Sequence, residues 1–159
     1  MTWWERWGFN AFHAVVLATG VVYFYMKYGM TTDDPFAIVN HPWQSAMLSL
    51  HVVAAPLFVA FFGMLFRSHS FGKLRSRNTA NRRTGWTALL GFSAMAFSGY
   101  LIQAVSTPGL ITFFIWTHVA ASAVFVVGYG IHLVNGRRID ATSSGRVATS
   151  LPGPARLSP

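Results

Sequence analysis

The most constraining feature of this sequence is a long stretch without formal charge. From Thr84 to Gly136 the chain contains no Asp, Glu, Lys or Arg. Near its middle, Ser106-Thr107-Pro108-Gly109 is typical of a turn, because Pro and Gly interrupt a helix. A hydrocarbon core of about 30 Å is crossed by roughly 20 helical residues. The stretch therefore predicts two membrane-spanning helices separated by that turn.

The same argument applies to the rest of the chain. Charged residues make up 10% of it, against about a quarter in a soluble domain, and the mean hydropathy is +0.42. Continuously apolar segments favour helices over barrel strands, which alternate. We predict an all-α fold, a transmembrane four-helix bundle over residues 1–138, followed by a disordered tail over 139–159 that is rich in Ser, Thr, Pro and Gly. The predicted spans are Trp7 to Tyr28, Trp43 to Phe66, Gly85 to Ser106 and Leu110 to Val134.

The first segment is longer than the apolar part of a signal peptide, so we interpret it as a retained helix. Of the 12 Lys and Arg residues, all except Lys27 fall on one side of the predicted membrane. Because Lys and Arg in short loops stay cytoplasmic, both termini are predicted to be cytoplasmic. The high net charge then indicates contact with membrane lipid headgroups and no nucleic-acid site. The sequence shows no internal repeat.

Four histidines lie within the predicted spans: His13, His51, His118 and His132. Ionisable side chains inside a membrane are costly and usually face the bundle interior, so each indicates a function. One imidazole alone is more simply a neutral group hydrogen-bonded to a neighbouring helix. Four of them require a common explanation.

The spacing of the histidines predicts two pairs. His118 and His132 are 14 residues apart, which returns to within about 40° of one helix face and separates them by roughly 21 Å. His51 and His118 both lie eight residues into their spans, on the periplasmic side. His13 and His132 lie near the cytoplasmic side. The sequence therefore predicts one pair in each leaflet.

The chemistry of two facing imidazoles favours haem over zinc. Zinc takes four protein ligands, or three and water, and no span contains Asp, Glu or Cys. A porphyrin supplies four nitrogens, so the protein adds only two axial ligands. The chain has no Cys, which excludes disulfides, iron-sulfur clusters and covalent haem attachment. We expect His51 with His118 at an outer haem iron, and His13 with His132 at an inner one.

For four other residues, a role at a cofactor is one interpretation and an ordinary structural role is another. Gly20 and Gly128 lie on the helix faces of His13 and His132 and could clear space for a flat cofactor, or could serve only helix packing. His69 and His41 fit solvated loops, and His69 has a quinone or a haem propionate as a second candidate partner.

This pattern resembles the four-helix, two-haem cytochrome b subunits that anchor nickel-iron hydrogenases and respiratory formate dehydrogenases, within the b561-type superfamily. The resemblance covers roughly residues 6–138. It rests on RWGFNAFH ending at His13 and followed by Thr19-Gly20, on His51, and on the H-x13-H spacing of His118 and His132. It implies two haem b groups, the same histidine pairing, a quinone, and a periplasmic redox subunit as partner.

The function expected on these grounds is a subunit of a membrane oxidoreductase in the bacterial inner membrane. It would carry electrons across the bilayer between that periplasmic partner and the quinone pool, with no catalysis of its own beyond quinone redox chemistry. One alternative is a stand-alone b561-type quinone reductase with a small diffusible donor. Another is a haem-free scaffold or proton channel that uses its histidines as relay groups.

Overall fold

Four long α-helices make up nearly all of the described chain. The computed structural model describes residues 2–70 and 82–150. Its helices are α1 (Trp3–Tyr28), α2 (Gln44–Leu65), α3 (Arg82–Ala104) and α4 (Pro108–Ser150), and a π-helical turn, Phe66–Ser70, continues α2. No strand occurs within those two ranges. The predicted all-α class is confirmed.

All four helices are long and apolar enough to cross a membrane. The candidate spans are Trp3–Tyr28, Gln44–Ser68, Arg82–Ala104 and Pro108–Arg138. At 1.5 Å per residue, even the 22 residues of α2 exceed the roughly 30 Å of a hydrocarbon core. The four predicted spans are confirmed as helices, with ends that differ by a few residues.

The ends of two helices follow from local chemistry. At the start of α1, the Thr2 backbone N–H donates to a Glu5 carboxylate oxygen at 2.8 Å, which satisfies one of the unpaired donors of a helix N-terminus. The predicted break before the last span is confirmed, but it covers Val105 to Thr107 only. Pro108 is the first residue of α4, a position where its missing N–H costs no helical hydrogen bond.

The chain divides into two compact units, Met1–Arg77 and Asn78–Pro159. In the first, hairpin A, α1 packs against α2; in the second, hairpin B, α3 packs against α4. The connection inside hairpin A is ordered by Asn40, whose side-chain amide donates to the Lys27 carbonyl at 3.0 Å and whose backbone N–H donates to the Gln44 side chain at 3.1 Å.

Large apolar side chains are exposed along the helices. Val53 in α2, Phe97 in α3 and Phe113 in α4 are 69%, 68% and 62% exposed. Surfaces of this kind are unfavourable in water and favourable in lipid, so the exposure agrees with membrane-spanning helices. The structure continues α4 to Ser150, and residues 151–159 lie outside the described ranges. The disordered tail over 139–159 stays a prediction.

Candidate functional site

His51 of hairpin A is held by the backbone and side chains of α1. Its Nδ1 lies 3.0 Å from the main-chain carbonyl oxygen of Val16. A carbonyl only accepts hydrogen bonds, so Nδ1 carries the proton and donates it. The Thr19 hydroxyl lies 3.3 Å from the same nitrogen. Gly20 lies so close to the ring that a Cβ there would be 2.9 Å from Cε1.

His118 of hairpin B is held by α3 in the same way. Its Nδ1 donates to the main-chain carbonyl oxygen of Met95 at 2.9 Å. The ring faces Gly99, where an added Cβ would lie 3.1 Å from both Cε1 and Nδ1. In each hairpin, the imidazole donates to a main-chain carbonyl of the neighbouring helix. Four residues after that carbonyl, the same helix has a glycine that leaves space for the ring. Between the carbonyl and the glycine, each helix has a hydroxyl residue, Thr19 in α1 and Ser98 in α3. We call this arrangement of carbonyl, hydroxyl and glycine the imidazole seat.

The two imidazole seats agree residue by residue. Val16, Thr19 and Gly20 form the first seat, and Met95, Ser98 and Gly99 form the second, 79 positions later in each case. Thr19 and Ser98 are both buried, and their hydroxyls lie within hydrogen-bond distance of two α-helical carbonyls each. The sequence shows no repeat, but the two hairpins hold His51 and His118 in similar local structures, which differ in that the Thr19 hydroxyl also lies 3.3 Å from His51 Nδ1.

The correspondence extends to the aromatic core of each hairpin. Phe58 lies seven residues after His51, and Phe125 lies seven residues after His118. Both are almost fully buried, at 2% and 1% exposure. Phe58 stacks on the imidazole of His13 with centroids 5.5 Å apart, and Phe125 meets Phe92 at the same separation. His13 therefore occupies in hairpin A the place that Phe92 occupies in hairpin B.

His13 is surrounded by aromatic rings within hairpin A. Its ring is nearly parallel to Phe58, at an interplanar angle of 12°, and its centroid is 5.9 Å from that of Phe9. Phe9 and Phe58 are themselves 5.2 Å apart and buried. This histidine thus projects from α1 into an aromatic cluster, where a ring can be oriented by packing.

His132 of hairpin B faces the beginning of α3. Its Nδ1 lies 3.2 Å from the Thr84 hydroxyl, and a Cβ added at Gly85 would lie 3.4 Å from its Cε1. A hydroxyl is both donor and acceptor, so this contact alone does not assign the tautomer. A glycine again lies beside the imidazole, as for His51 and His118.

The two glycines singled out from the sequence have neighbours in the structure that their spacing did not identify. Gly20, selected for its position relative to His13, lies against His51. Periodicity along α1 identified its helix face but not the neighbouring helix that covers it. Gly128, selected for His132, lies against α3, where an added Cβ would be 3.3 Å from Thr87 and 3.4 Å from the backbone of Ala88. That contact is ordinary close helix packing.

Sequence reasoning missed Gly85, Ser98 and Gly99, and it named Thr19 only as part of the resemblance. One signal was available: a hydroxyl residue followed by glycine, Thr19-Gly20 and Ser98-Gly99, occurs at the same distance from the start of α1 and of α3. Of the loop histidines, His41 has a local role, since its Nδ1 accepts the Trp43 backbone N–H at 3.1 Å. The side chain of His69 lies outside the described residues.

The donor set fits axial ligation of haem in one specific respect. A histidine that coordinates iron through Nε2 is commonly oriented by an Nδ1–H hydrogen bond to a carbonyl or carboxylate. His51 and His118 both make that bond to a buried turn of the neighbouring helix. The described side chains contain no group of three or more His, Cys, Asp or Glu that could hold a bare metal ion. A haem does not require such a group, because the porphyrin supplies four nitrogen ligands and the protein adds two imidazoles.

Comparison of the chain with protein-family models, with curated proteins and with solved structures returned no match. The assignment of a function therefore depends on the residues of the chain itself. Among these, the histidines of the two imidazole seats have the most specific surroundings.

Proposed function

We propose that this protein is a membrane b-type cytochrome that transfers electrons across the bilayer through two haem groups. Each haem would be bound by two histidines: His51 and His118 for the outer haem, His13 and His132 for the inner one. Haem supplies a one-electron couple at each level of the membrane. The chain's own residues would orient the ligands, and the spacing of His118 and His132 along α4 would set the two levels roughly 21 Å apart.

The observation that carries this proposal is the shared hydrogen bond of His51 and His118. Each Nδ1 donates to a main-chain carbonyl, so in the neutral form of each imidazole the unprotonated nitrogen is Nε2. Nε2 is the nitrogen that would bind iron. The recurrence of a carbonyl, a buried hydroxyl residue and a glycine beside the imidazole in both hairpins supports a common role for the two histidines.

Two independent arguments support pairing His51 with His118. The first is depth, because each lies eight residues into its predicted span. The second is local structure, since their seats are equivalent and occupy the same position in α1 and α3. His13 and His132 form the second pair by depth alone. Their surroundings differ, with an aromatic cluster around His13 and a hydroxyl beside His132.

The membrane location and partners follow from the same proposal. The distribution of Lys and Arg supports a multi-pass protein of the bacterial inner membrane with both termini in the cytoplasm. Electrons would pass between a periplasmic redox subunit and a membrane quinone. The resemblance to hydrogenase and formate dehydrogenase cytochromes favours flow from that subunit to quinone. Substrate chemistry other than quinone redox belongs to the partner.

The deciding experiment is haem quantification on the purified chain. We expect two haems per polypeptide, with the reduced-minus-oxidised spectrum of low-spin iron ligated by two imidazoles. A colourless protein from haem-replete cells would contradict the proposal and favour a scaffold or proton channel. Purification in mild detergent tests the partner: a large redox subunit should co-purify. A lone chain that reduces quinone with a small donor would instead indicate a stand-alone reductase.

A further inference from the structure

Within hairpin B, the glycines of α3 and the histidines of α4 have the same spacing. Gly85 and Gly99 are 14 residues apart, and so are His118 and His132. The earlier glycine lies beside the later histidine, as in two helices that run in opposite directions. His132 therefore meets the beginning of α3 in the same register in which His118 meets its end.

The same edge of each ring faces α3. A Cβ added at Gly85 would lie 3.4 Å from Cε1 and 3.7 Å from Nδ1 of His132. At Gly99, the distances to Cε1 and Nδ1 of His118 would both be 3.1 Å, and Nε2 of each ring lies farther away. Both rings thus present Nδ1 to α3, and His118 uses its Nδ1 as a hydrogen-bond donor.

Thr84-Gly85 repeats the hydroxyl and the glycine of the imidazole seats. The Thr84 oxygen lies 3.2 Å from His132 Nδ1, and in hairpin A the Thr19 oxygen lies 3.3 Å from His51 Nδ1. A glycine follows each threonine. The carbonyl of a seat belongs to the residue four positions before the glycine, which for Gly85 is position 81, outside the described residues. The direction of the Thr84 contact therefore has to be inferred from that of Thr19.

In hairpin A, the surrounding bonds determine which group donates. The Thr19 hydroxyl donates to the Val15 carbonyl at 2.7 Å, and His51 Nδ1 lies 3.0 Å from the Val16 carbonyl, which can only accept. The Thr19 oxygen thus offers lone pairs to an Nδ1 that carries a proton. Donation to the carbonyl one turn back is the ordinary bond of a helical hydroxyl, and Thr87 of α3 makes it as well. A threonine in the same contact with the same edge of an imidazole is expected to accept.

We propose that Thr84 and Gly85 form a third imidazole seat, in which Thr84 is a positioning residue that accepts the Nδ1 proton of His132. In the neutral ring, the unprotonated nitrogen is then Nε2, as in His51 and His118. The seat lies entirely within hairpin B. The use of Nε2 as a haem ligand rests on the proposed function, whereas the position of the proton does not.

The test measures the tautomer of His132 in the 159-residue chain, produced without haem and purified in detergent. Nitrogen NMR of isotope-labelled histidine distinguishes protonated from unprotonated ring nitrogens, and His132→Asn identifies the His132 signals by their loss. At about pH 9, where histidine is ordinarily neutral, the wild type should show a protonated Nδ1. Thr84→Val removes the hydroxyl with little change of shape. It should lower the ratio of the Nδ1–H to the Nε2–H tautomer roughly fivefold, the effect of one ordinary hydrogen bond. Thr84→Ser keeps a hydroxyl and should restore the ratio.

Thr87→Val is the matched control, because Thr87 follows Thr84 by three residues in α3 and its hydroxyl donates to the Arg83 carbonyl at 3.2 Å. It should leave the His132 tautomer unchanged. A wild-type His132 that is mainly protonated at Nε2 would overturn the inference, even if Thr84→Val yields no folded protein. An unchanged ratio in Thr84→Val, or an equal change in Thr87→Val, would overturn it too. A wild-type chain that binds no haem and keeps the proton on Nδ1 would overturn the proposed function and still support the seat.

Discussion

His118 lies against Gly99 of the neighbouring helix so closely that a Cβ there would be 3.1 Å from both Cε1 and Nδ1 of its ring. That separation is tighter than most side-chain carbons tolerate, so either the ring or the helix must move if the glycine is replaced. The same holds for Gly20 against His51, at 2.9 Å. The absence of a side chain at these positions is what permits the Nδ1 hydrogen bonds.

We expect Gly99→Ala and Gly20→Ala to weaken haem binding at the outer site by about tenfold or more, as changes next to a metal ligand commonly do. The added methyl displaces the imidazole from its carbonyl partner. Haem per chain and the low-spin spectrum measure the effect. Gly130→Ala is the control, because a Cβ at Gly130 meets no atom within 4 Å. Full haem content in all three variants would show that the glycines serve helix packing alone.

Removing individual histidines should separate the two haems. His118→Ala is expected to abolish the proposed outer haem and keep the inner one, whereas His132→Ala should do the reverse, since each would remove one proposed axial ligand. Haem stoichiometry and the number of redox transitions give the result. His41→Ala should lose neither, because the hydrogen bonds of His41, to the backbone N–H groups of Trp43 and Gln44, lie within the connection between α1 and α2. Loss of both haems from one change, in a folded protein, would contradict independent sites.

The predicted orientation can be tested because the chain has no native cysteine. A single Ile38→Cys places a thiol in the connection of hairpin A, at a position 99% exposed. Arg137→Cys places one at the other predicted side, near the end of the last span. In intact spheroplasts, a membrane-impermeant maleimide should label the first and spare the second, and lysis should expose both. The reverse pattern would place the termini in the periplasm.

The two buried phenylalanines should contribute similar stability to their hairpins. Phe58→Ala and Phe125→Ala each remove a ring that is at most 2% exposed and leave a cavity, at a cost of about 3 kcal/mol in the free energy of unfolding. Thermal or denaturant unfolding in detergent measures it. Phe113→Ala, at a ring 62% exposed, should change stability by much less. Equal losses for all three would show that burial within the hairpins does not determine stability.

The helical fold was predictable because it depends on a short-range property. A span of about 20 apolar residues in lipid forms a helix, because every backbone polar group must be hydrogen-bonded within the span. The four helices therefore follow from composition, and the break before Pro108 follows from the local Pro and Gly residues. The exact ends of the helices could not be predicted from composition. They depend on individual hydrogen bonds, such as that between Thr2 and Glu5, and on whether Pro108 is the last residue of a turn or the first of a helix.

Of the candidate site, the sequence predicted the histidines but not the groups that surround them. Their residue type and depth can be counted along the chain, but the partners of each ring lie on another helix. Gly20 illustrates the difference: helical periodicity assigns it to the face of His13, and packing places it beside His51. The carbonyls of Val16 and Met95 could not be found from side-chain identity at all, because every residue has a carbonyl. Only the geometry of the hairpins distinguishes these two.

Each imidazole seat lies wholly within one hairpin, and this has a consequence for the order of assembly. His51 is oriented by α1 and His118 by α3, so neither ring needs the cofactor to select its rotamer or tautomer. In the proposed cytochrome, the entropy of fixing the ligands would be lost when the hairpins fold, and not when the porphyrin inserts. A preorganised apoprotein of this kind would accept the proposed haems late, after insertion into the bilayer is complete.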